Sequence, residues 1–357
     1  MSLFGDPRVM PWLLGEKEGY ELVQAAYERG IQTFDTANVY SSGGSERILG
    51  NAIKKLNLPR GEIVIMTKLG LPMPPLGDPD ALEKCKTPEK FGLINQHGTS
   101  RKVRPYLSYS PSPSDPQYPK HIFDAVKGSL ERLQVDYIDV LHCHRFDAGT
   151  PIEETMHALH DVVKAGWVRY LAMSSCWAYQ FHAMQNYALA HGLTPFISMQ
   201  NHYNLLYREE EREMLPTLRL FGVGSTPWSP LAKGLLARPV DAEAGSLRSK
   251  TDPGLLMYKN DATPVIISRL EEIAKRRGIS MAQVSLAWLM SREGVTAPII
   301  GPSSIAKLED LLAMPVVPPS AYLSELESRW RKEQRASVAE SAPYPRIGSI
   351  PDRDKKK

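Results

Sequence analysis

The sequence predicts an α/β protein whose parallel strands would close into a barrel if an eighth joined the seven that are visible. Three observations predict this. Short apolar runs of strand type alternate with segments of helical period along most of the 357 residues. Repeated strand–helix units need crossovers, and crossovers make neighbouring strands parallel. Polar residues that packing does not call for recur where the apolar runs end. In barrels of parallel strands those ends, with their following loops, hold the chemistry.

Length allows two average domains or one large barrel. With 42% hydrophobic and 23% charged residues, the composition is that of an ordinary globular protein. A net charge of +3 is too small to argue for nucleic acid or an anionic membrane as partner. No stretch approaches the apolar length of a membrane helix. Residues 1–15 lack the basic start and apolar core of a secretion signal. The 3 cysteines, Cys85, Cys143 and Cys176, are odd in number and widely spaced, without metal-ligand spacing. That fits a reducing compartment, so the cytoplasm is the expected location.

The first strand is expected at 31–35, after the turn glycine Gly30. It runs into the polar loop Thr36-Ala37-Asn38-Val39-Tyr40, and a helix follows at 45–56 with Ile48, Leu49, Ala52, Ile53 and Leu56 on one face. A second strand is expected at 63–68. Residues 69–119 form a long proline-rich connection, a kind of segment that is usually functional or disordered. A helix at 121–133 precedes a strand at 137–143. The segment 150–165 opens with Thr150-Pro151-Ile152-Glu153, which offers a cap residue, a proline at the first helical position and a glutamate for a capping box. Strands at 168–174 and 196–201 flank a helix at 177–192. Strands at 222–228 and 297–301 enclose helices at 265–278 and 281–291. The last part of 315–357 reads as disordered.

Five of the expected strand ends carry Asp35, Lys68, His144, Ser174-Ser175 and Gln200-Asn201, and Tyr40 follows the first. A lysine that closes Ile63-Val64-Ile65-Met66-Thr67 is costly inside a barrel unless paired, and Asp35 is its natural partner. Alone, Asp35 could cap the turn and Tyr40 could cover the rim. An acid, a phenol, a lysine and an imidazole at neighbouring strand ends point to catalysis instead. His142-Cys143-His144 also opens metal-dependent hydrolase barrels, but there it belongs to the first strand, with further histidines and an aspartate later; here it sits mid-chain, with no such followers at the right strand ends. Gly222-Val223-Gly224 lacks the third glycine of a dinucleotide fingerprint.

Asp35-Thr36-Ala37-Asn38-Val39-Tyr40, Thr67-Lys68, His144-Arg145-Phe146-Asp147, Ser198-Met199-Gln200-Asn201-His202-Tyr203-Asn204 and Trp228-Ser229-Pro230-Leu231-Ala232 resemble the aldo-keto reductase superfamily. The likeness is closest to fungal members similar to aryl-alcohol dehydrogenases and to polyketide-pathway reductases, and it covers roughly residues 1–312. It implies a (β/α)8 TIM barrel over 1–314 that lacks most of the first strand and the N-terminal hairpin. It also marks 103–120 as an atypical insertion, expected to be a retained short intron or a wrong gene model, and 315–357 as a divergent tail. The implied catalytic tetrad is Asp35, Tyr40, Lys68 and His144. Tyr40 would give the proton needed by the alkoxide, Lys68 would supply charge beside the phenol, Asp35 would hold Lys68, and His144 would orient the substrate oxygen.

The same resemblance implies NADP(H) as cofactor and no metal. Asp35 belongs to the implied cofactor set as well. Ser174 and Gln200, with Ser175 or Asn201 beside them, would bind the nicotinamide carboxamide. Trp228 would stack on the ring, its alternative being a core aromatic. Ser229, Pro230, Leu231 and Lys233 lie where the pyrophosphate is held. Gly301, Ser303, Lys307 and Asp310 resemble the loop and helix start for the adenosine phosphate, where Lys307 favours a 2′-phosphate and hence NADP. A serine-capped helix is the plainer reading of that stretch. The expected function is NADPH-dependent reduction of an aldehyde or ketone, aryl or polyketide-derived, with alcohol oxidation as the reverse. The alternatives are a non-catalytic NADPH-binding barrel or an inactive truncated isoform. The expected partner is a small-molecule carbonyl or alcohol. No heptad seam marks an oligomer.

Overall fold

Six parallel strands pair in chain order in a computed structural model that describes residues 2–8, 10–73, 98–99, 121–242 and 247–314. The segment 103–120 and the tail 315–357 lie outside the described residues. The strands are β1 (Thr33–Asp35), β2 (Val64–Leu69), β3 (Ile138–Cys143), β4 (Val168–Ser174), β5 (Phe196–Gln200) and β6 (Gly224–Ser225). The helices are α1 (Glu16–Glu28), α2 (Gly44–Lys55), α3 (His121–Leu133), α4 (Ile152–Lys164), α5 (Ala178–Ala190), α6 (Met214–Leu220), α7 (Leu247–Thr251), α8 (Ala262–Arg277), α9 (Met281–Met290) and α10 (Ile305–Leu312).

The sheet is curled. Gln200 on β5 and Asp35 on β1 are joined by a 2.8 Å hydrogen bond. In a flat sheet four strand spacings would hold them about 19 Å apart. Ile299, beyond β6, packs against Met66, Val140 and Ala172 from β2, β3 and β4. These contacts put one set of side chains inside a barrel-like wall.

The strand expected at 222–228 shortens to Gly224–Ser225, and the one expected at 297–301 reduces to single bridges, Ser225 to Val295 and Trp228 to Ile299. Pro227 and Pro298 explain both, because proline has no N–H to continue a ladder. Ile31 does not start a strand either. Its amide bonds to Ala26 O at 3.0 Å, closing α1 over Gly30 at φ +83.

The helix α1 is absent from the expected elements. It buries Leu22, Val23 and Ala25 and lies over α2, where a Cβ on Gly19 would come 2.7 Å from Ile48 Cγ2. Helix α4 begins differently from its expected capping box. Pro151 is the N-cap, with no side-chain bond, and Thr150 Oγ1 donates instead to Asp147 at 2.6 Å. Helices α6 and α7 were likewise not expected.

Leu3–Gly5 lies at the carboxyl end of the wall. A Cβ on Gly301 would meet Leu3 Cδ1 at 3.3 Å, and one on Gly5 would collide with Ser41. Phe4 bridges to Leu14 rather than to β1.

Candidate active site

The ends of β1, β2 and β3 converge on one buried charge. Lys68 Nζ donates to Asp35 Oδ1 at 2.8 Å, to Asp35 Oδ2 at 2.7 Å and to Thr36 O at 2.7 Å. An ammonium has three protons, and Asp35 and Thr36 both accept from it. Only 1% of the Lys68 side chain and 5% of Asp35 is exposed, so neither ion can rely on water. Burial pushes the Asp35 carboxyl up, yet Lys68 outweighs it and the pKa is lowered. Burial pushes Lys68 down, yet Asp35 and Tyr40 leave it raised. Both groups therefore stay ionised.

Tyr40, on the loop after β1, holds its ring centre 5.1 Å from Lys68 Nζ. His144 follows β3 and meets that ring edge-on, with centroids 5.8 Å apart. Burial and the charges of Lys68, Arg145 and His142 hold the His144 pKa well below 6.5, so the imidazole is neutral. The four residues of the expected tetrad are thus brought together. His142, beside Lys68 in the β2–β3 register, is fully buried, and its pKa falls to about 4, chiefly through burial. Among the described residues no group of three or more His, Cys, Asp or Glu could hold a metal ion.

An aromatic ladder stands beyond β5. Tyr207 stacks on His202 at 4.3 Å, and His202 stacks on Trp228 at 4.2 Å. Trp228 Nε1 donates to Ser175 Oγ at 2.9 Å, and His202 Nε2 pairs with Tyr258 OH at 2.7 Å. Trp228 is therefore fixed from behind and from its edge. Ser174 donates to Gln200 O at 2.8 Å, while Gln200 Nε2 donates to Asp35. Asn201 Oδ1 accepts from Ser225 at 2.6 Å.

The other expected residues spread along one side of the same end. Ser229 is at φ +52, Pro230 is buried, and Leu231 packs against the core of α9 and α10. Lys233 bonds Asp252 at 3.0 Å. Gly301 and Ser303 are exposed, and Lys307 Nζ holds Ser303 Oγ at 2.7 Å. Asp310 is apart from these. It accepts from Ser280 at 2.9 Å and ties α10 to α9.

Two features of the site were not expected. One is Glu46, 0% exposed, which accepts from Thr67 Oγ1 and Arg132 Nε, each at 2.6 Å, and so braces the end of β2. The signal was Ser45-Glu46 at a helix start, where an acid reads as a capping group. The other is the backing stack of Tyr207 and His202, whose aromatics have no fixed spacing to find in sequence.

A buried ion pair, a phenol and a neutral imidazole thus lie together at the carboxyl ends of the parallel strands. The chain belongs to the aldo/keto reductase family, whose model it matches over residues 12–322. It is 45% identical to an aldo-keto reductase of Fusarium vanettenii over 92% of this chain and 84% of that protein. It is 44% identical to a Schizosaccharomyces pombe protein named as an aryl-alcohol dehydrogenase, over 85% of this chain and 88% of that one. It is 42% identical to the versiconal hemiacetal acetate reductase of Aspergillus parasiticus, over 87% and 85% respectively. The fold is the family's (β/α)8 barrel, seen here as its six-stranded part. The chain is an oxidoreductase of small-molecule carbonyl compounds, from a family that uses NAD(P)H. No helix of the described residues is long and apolar enough to cross a membrane.

Proposed function

We infer that this chain reduces an aldehyde or ketone with NADPH and that Tyr40 delivers the proton. The observation that carries this reading is the buried Lys68–Asp35 pair with Lys68 Nζ held 5.1 Å from the centre of the Tyr40 ring. When bound, NADPH supplies the hydride. Tyr40 gives its phenolic proton to the substrate oxygen. Lys68 stabilises the negative charge left on the phenol oxygen, in a site where low dielectric strengthens that attraction. Asp35 keeps Lys68 charged and aimed. His144, neutral, hydrogen-bonds the substrate oxygen without competing as an acid.

The residues present fit the cofactor. Trp228 has His202 against one face and offers the other to a nicotinamide ring. Gln200 gives Nε2 to Asp35, which leaves its carbonyl oxygen for the carboxamide, beside Ser174 and Ser175. Ser229, Pro230, Leu231 and Lys233 follow Trp228 as a pyrophosphate segment. Lys307 is exposed at the start of α10, and its ammonium holds a hydroxyl and no carboxylate among the described residues. A 2′-phosphate would suit it, so NADPH is favoured over NADH. Asp310 has a structural role in this reading. The reactive unit is taken as residues 1–314, acting in the cytoplasm, with an aryl or polyketide-derived carbonyl as substrate.

Titration with NADPH and with NADH, followed by quenching of tryptophan fluorescence, tests the cofactor reading. NADPH is expected to bind about 10-fold or more tighter than NADH, and Lys307→Ala to remove most of that margin. Absence of binding, or an NADH preference, would overturn it.

A further inference from the structure

Among the described residues, Arg145 is a cation without a matching anion, next to the tetrad. It follows His144 at the end of β3. Its side chain is exposed to solvent, yet the protein around it lowers its pKa, chiefly by burial. It donates to His144 O at 2.5 Å and reaches Ser174 Oγ at 3.5 Å, both neutral acceptors.

No carboxylate pairs with it among the described residues. Asp147, two residues on, accepts from the Thr99 amide at 2.8 Å, the Gly149 amide at 2.9 Å and Thr150 Oγ1 at 2.6 Å. Asp35 is matched by Lys68. The acidic groups that do feel Arg145 are Tyr40 and Cys176, and burial pushes the Cys176 thiol up to about 12, so it is neutral. An arginine stays charged in proteins, and a partly desolvated charge without a counter-ion is costly.

We propose that Arg145 selects carbonyl substrates that carry an anionic group, a carboxylate or an acidic enol or phenol, held by its guanidinium while the carbonyl faces Tyr40 and His144. The placement supports this, because Arg145 directly follows His144 and its Nη1 lies 3.5 Å from Ser174 Oγ, whose hydroxyl donates to Gln200 O. Guanidinium and carboxylate match as paired donors and acceptors, which gives orientation as well as attraction. The proposal rests on the reductase reading above and adds the substrate class.

The test compares the 2-, 3- and 4-formylbenzoates with their methyl esters as NADPH-dependent substrates of the full chain. At least one acid is expected to exceed its ester in kcat/KM by about 30-fold. Arg145→Gln should collapse that ratio towards one, and Arg145→Lys should restore part of it. The ratio is read within each variant, so a partly misfolded preparation does not distort it. Esters reduced as well as all three acids would overturn the proposal and leave the reductase reading standing. A ratio that survives Arg145→Gln would do the same. An Arg145→Gln variant with weakened NADPH binding and unchanged selectivity would assign Arg145 to the cofactor and overturn it too. Reduction of neither acids nor esters would sink both readings together.

Discussion

Gln200 donates to Asp35 across the barrel at 2.8 Å, from the fifth strand of the sheet to the first. Asp35 thereby accepts hydrogen bonds from two opposite walls, from Lys68 on one side and Gln200 on the other. The bond closes the floor of the site and sets the direction of Gln200. A methionine at position 200 keeps the volume and removes the bond. Gln200→Met should cost about 2 kcal/mol of unfolding free energy, the range for a hydrogen bond to a charged group. Gln200→Glu should cost more, because a second carboxylate would face Asp35 in a site 2% exposed at Gln200. Urea midpoints of the three proteins check the order, and equal midpoints would contradict it.

The Lys68–Asp35 pair separates stability from chemistry. Lys68→Met leaves Asp35 buried without its cation, and a loss of about 3–5 kcal/mol is expected. Adding Asp35→Asn removes the stranded charge, so the double variant should regain most of that loss. Neither variant should turn over. A double variant as unstable as the single one would show that the pair does more for the fold than hold charge.

His142 makes stability depend on pH. Its pKa is 6.5 in an unfolded chain and about 4 in the barrel. Between those values the unfolded chain binds a proton that the folded chain refuses. Stability is therefore full above pH 6.5 and falls as pH drops towards 4, by roughly 3 kcal/mol for this residue. His144 and His202 are shifted in the same direction. His142→Leu should keep only part of the acid loss. Urea midpoints at about pH 7.5 and about pH 5 measure it, and an unchanged loss would contradict the assignment.

Glu46 should act on β2 and through it on Lys68. Glu46→Leu strands Arg132, whose side chain is 15% exposed, and frees Thr67. A loss of about 3 kcal/mol is expected. Arg132→Leu added to it should recover stability, as measured by thermal or urea unfolding.

The strand ends were the most legible part of the chain. Asp35, Lys68 and His144 stand out because charge at the end of an apolar run has no packing reason, and the structure brings them to one point. The strand 168–174 and the helix 121–133 were legible to the residue, since period and boundaries agree there. Helix α1 was not, because its single buried face is short and Gly19 lies within it. The strands near Pro227 and Pro298 were over-read, because apolar character was weighed above the missing donors. Glu46 and Arg145 were invisible for another reason. Their meaning depends on which distant group does or does not face them.

The most direct test of the account is Tyr40→Phe. The variant should bind NADPH as the parent does, with the same tryptophan quenching, because the ring and its contacts with Lys68 and His144 remain. Its single-turnover reduction of an aldehyde should fall by about 100-fold or more, since only the proton donor is gone. A variant that reduces the aldehyde at the parental rate would contradict the assignment of Tyr40 as the acid.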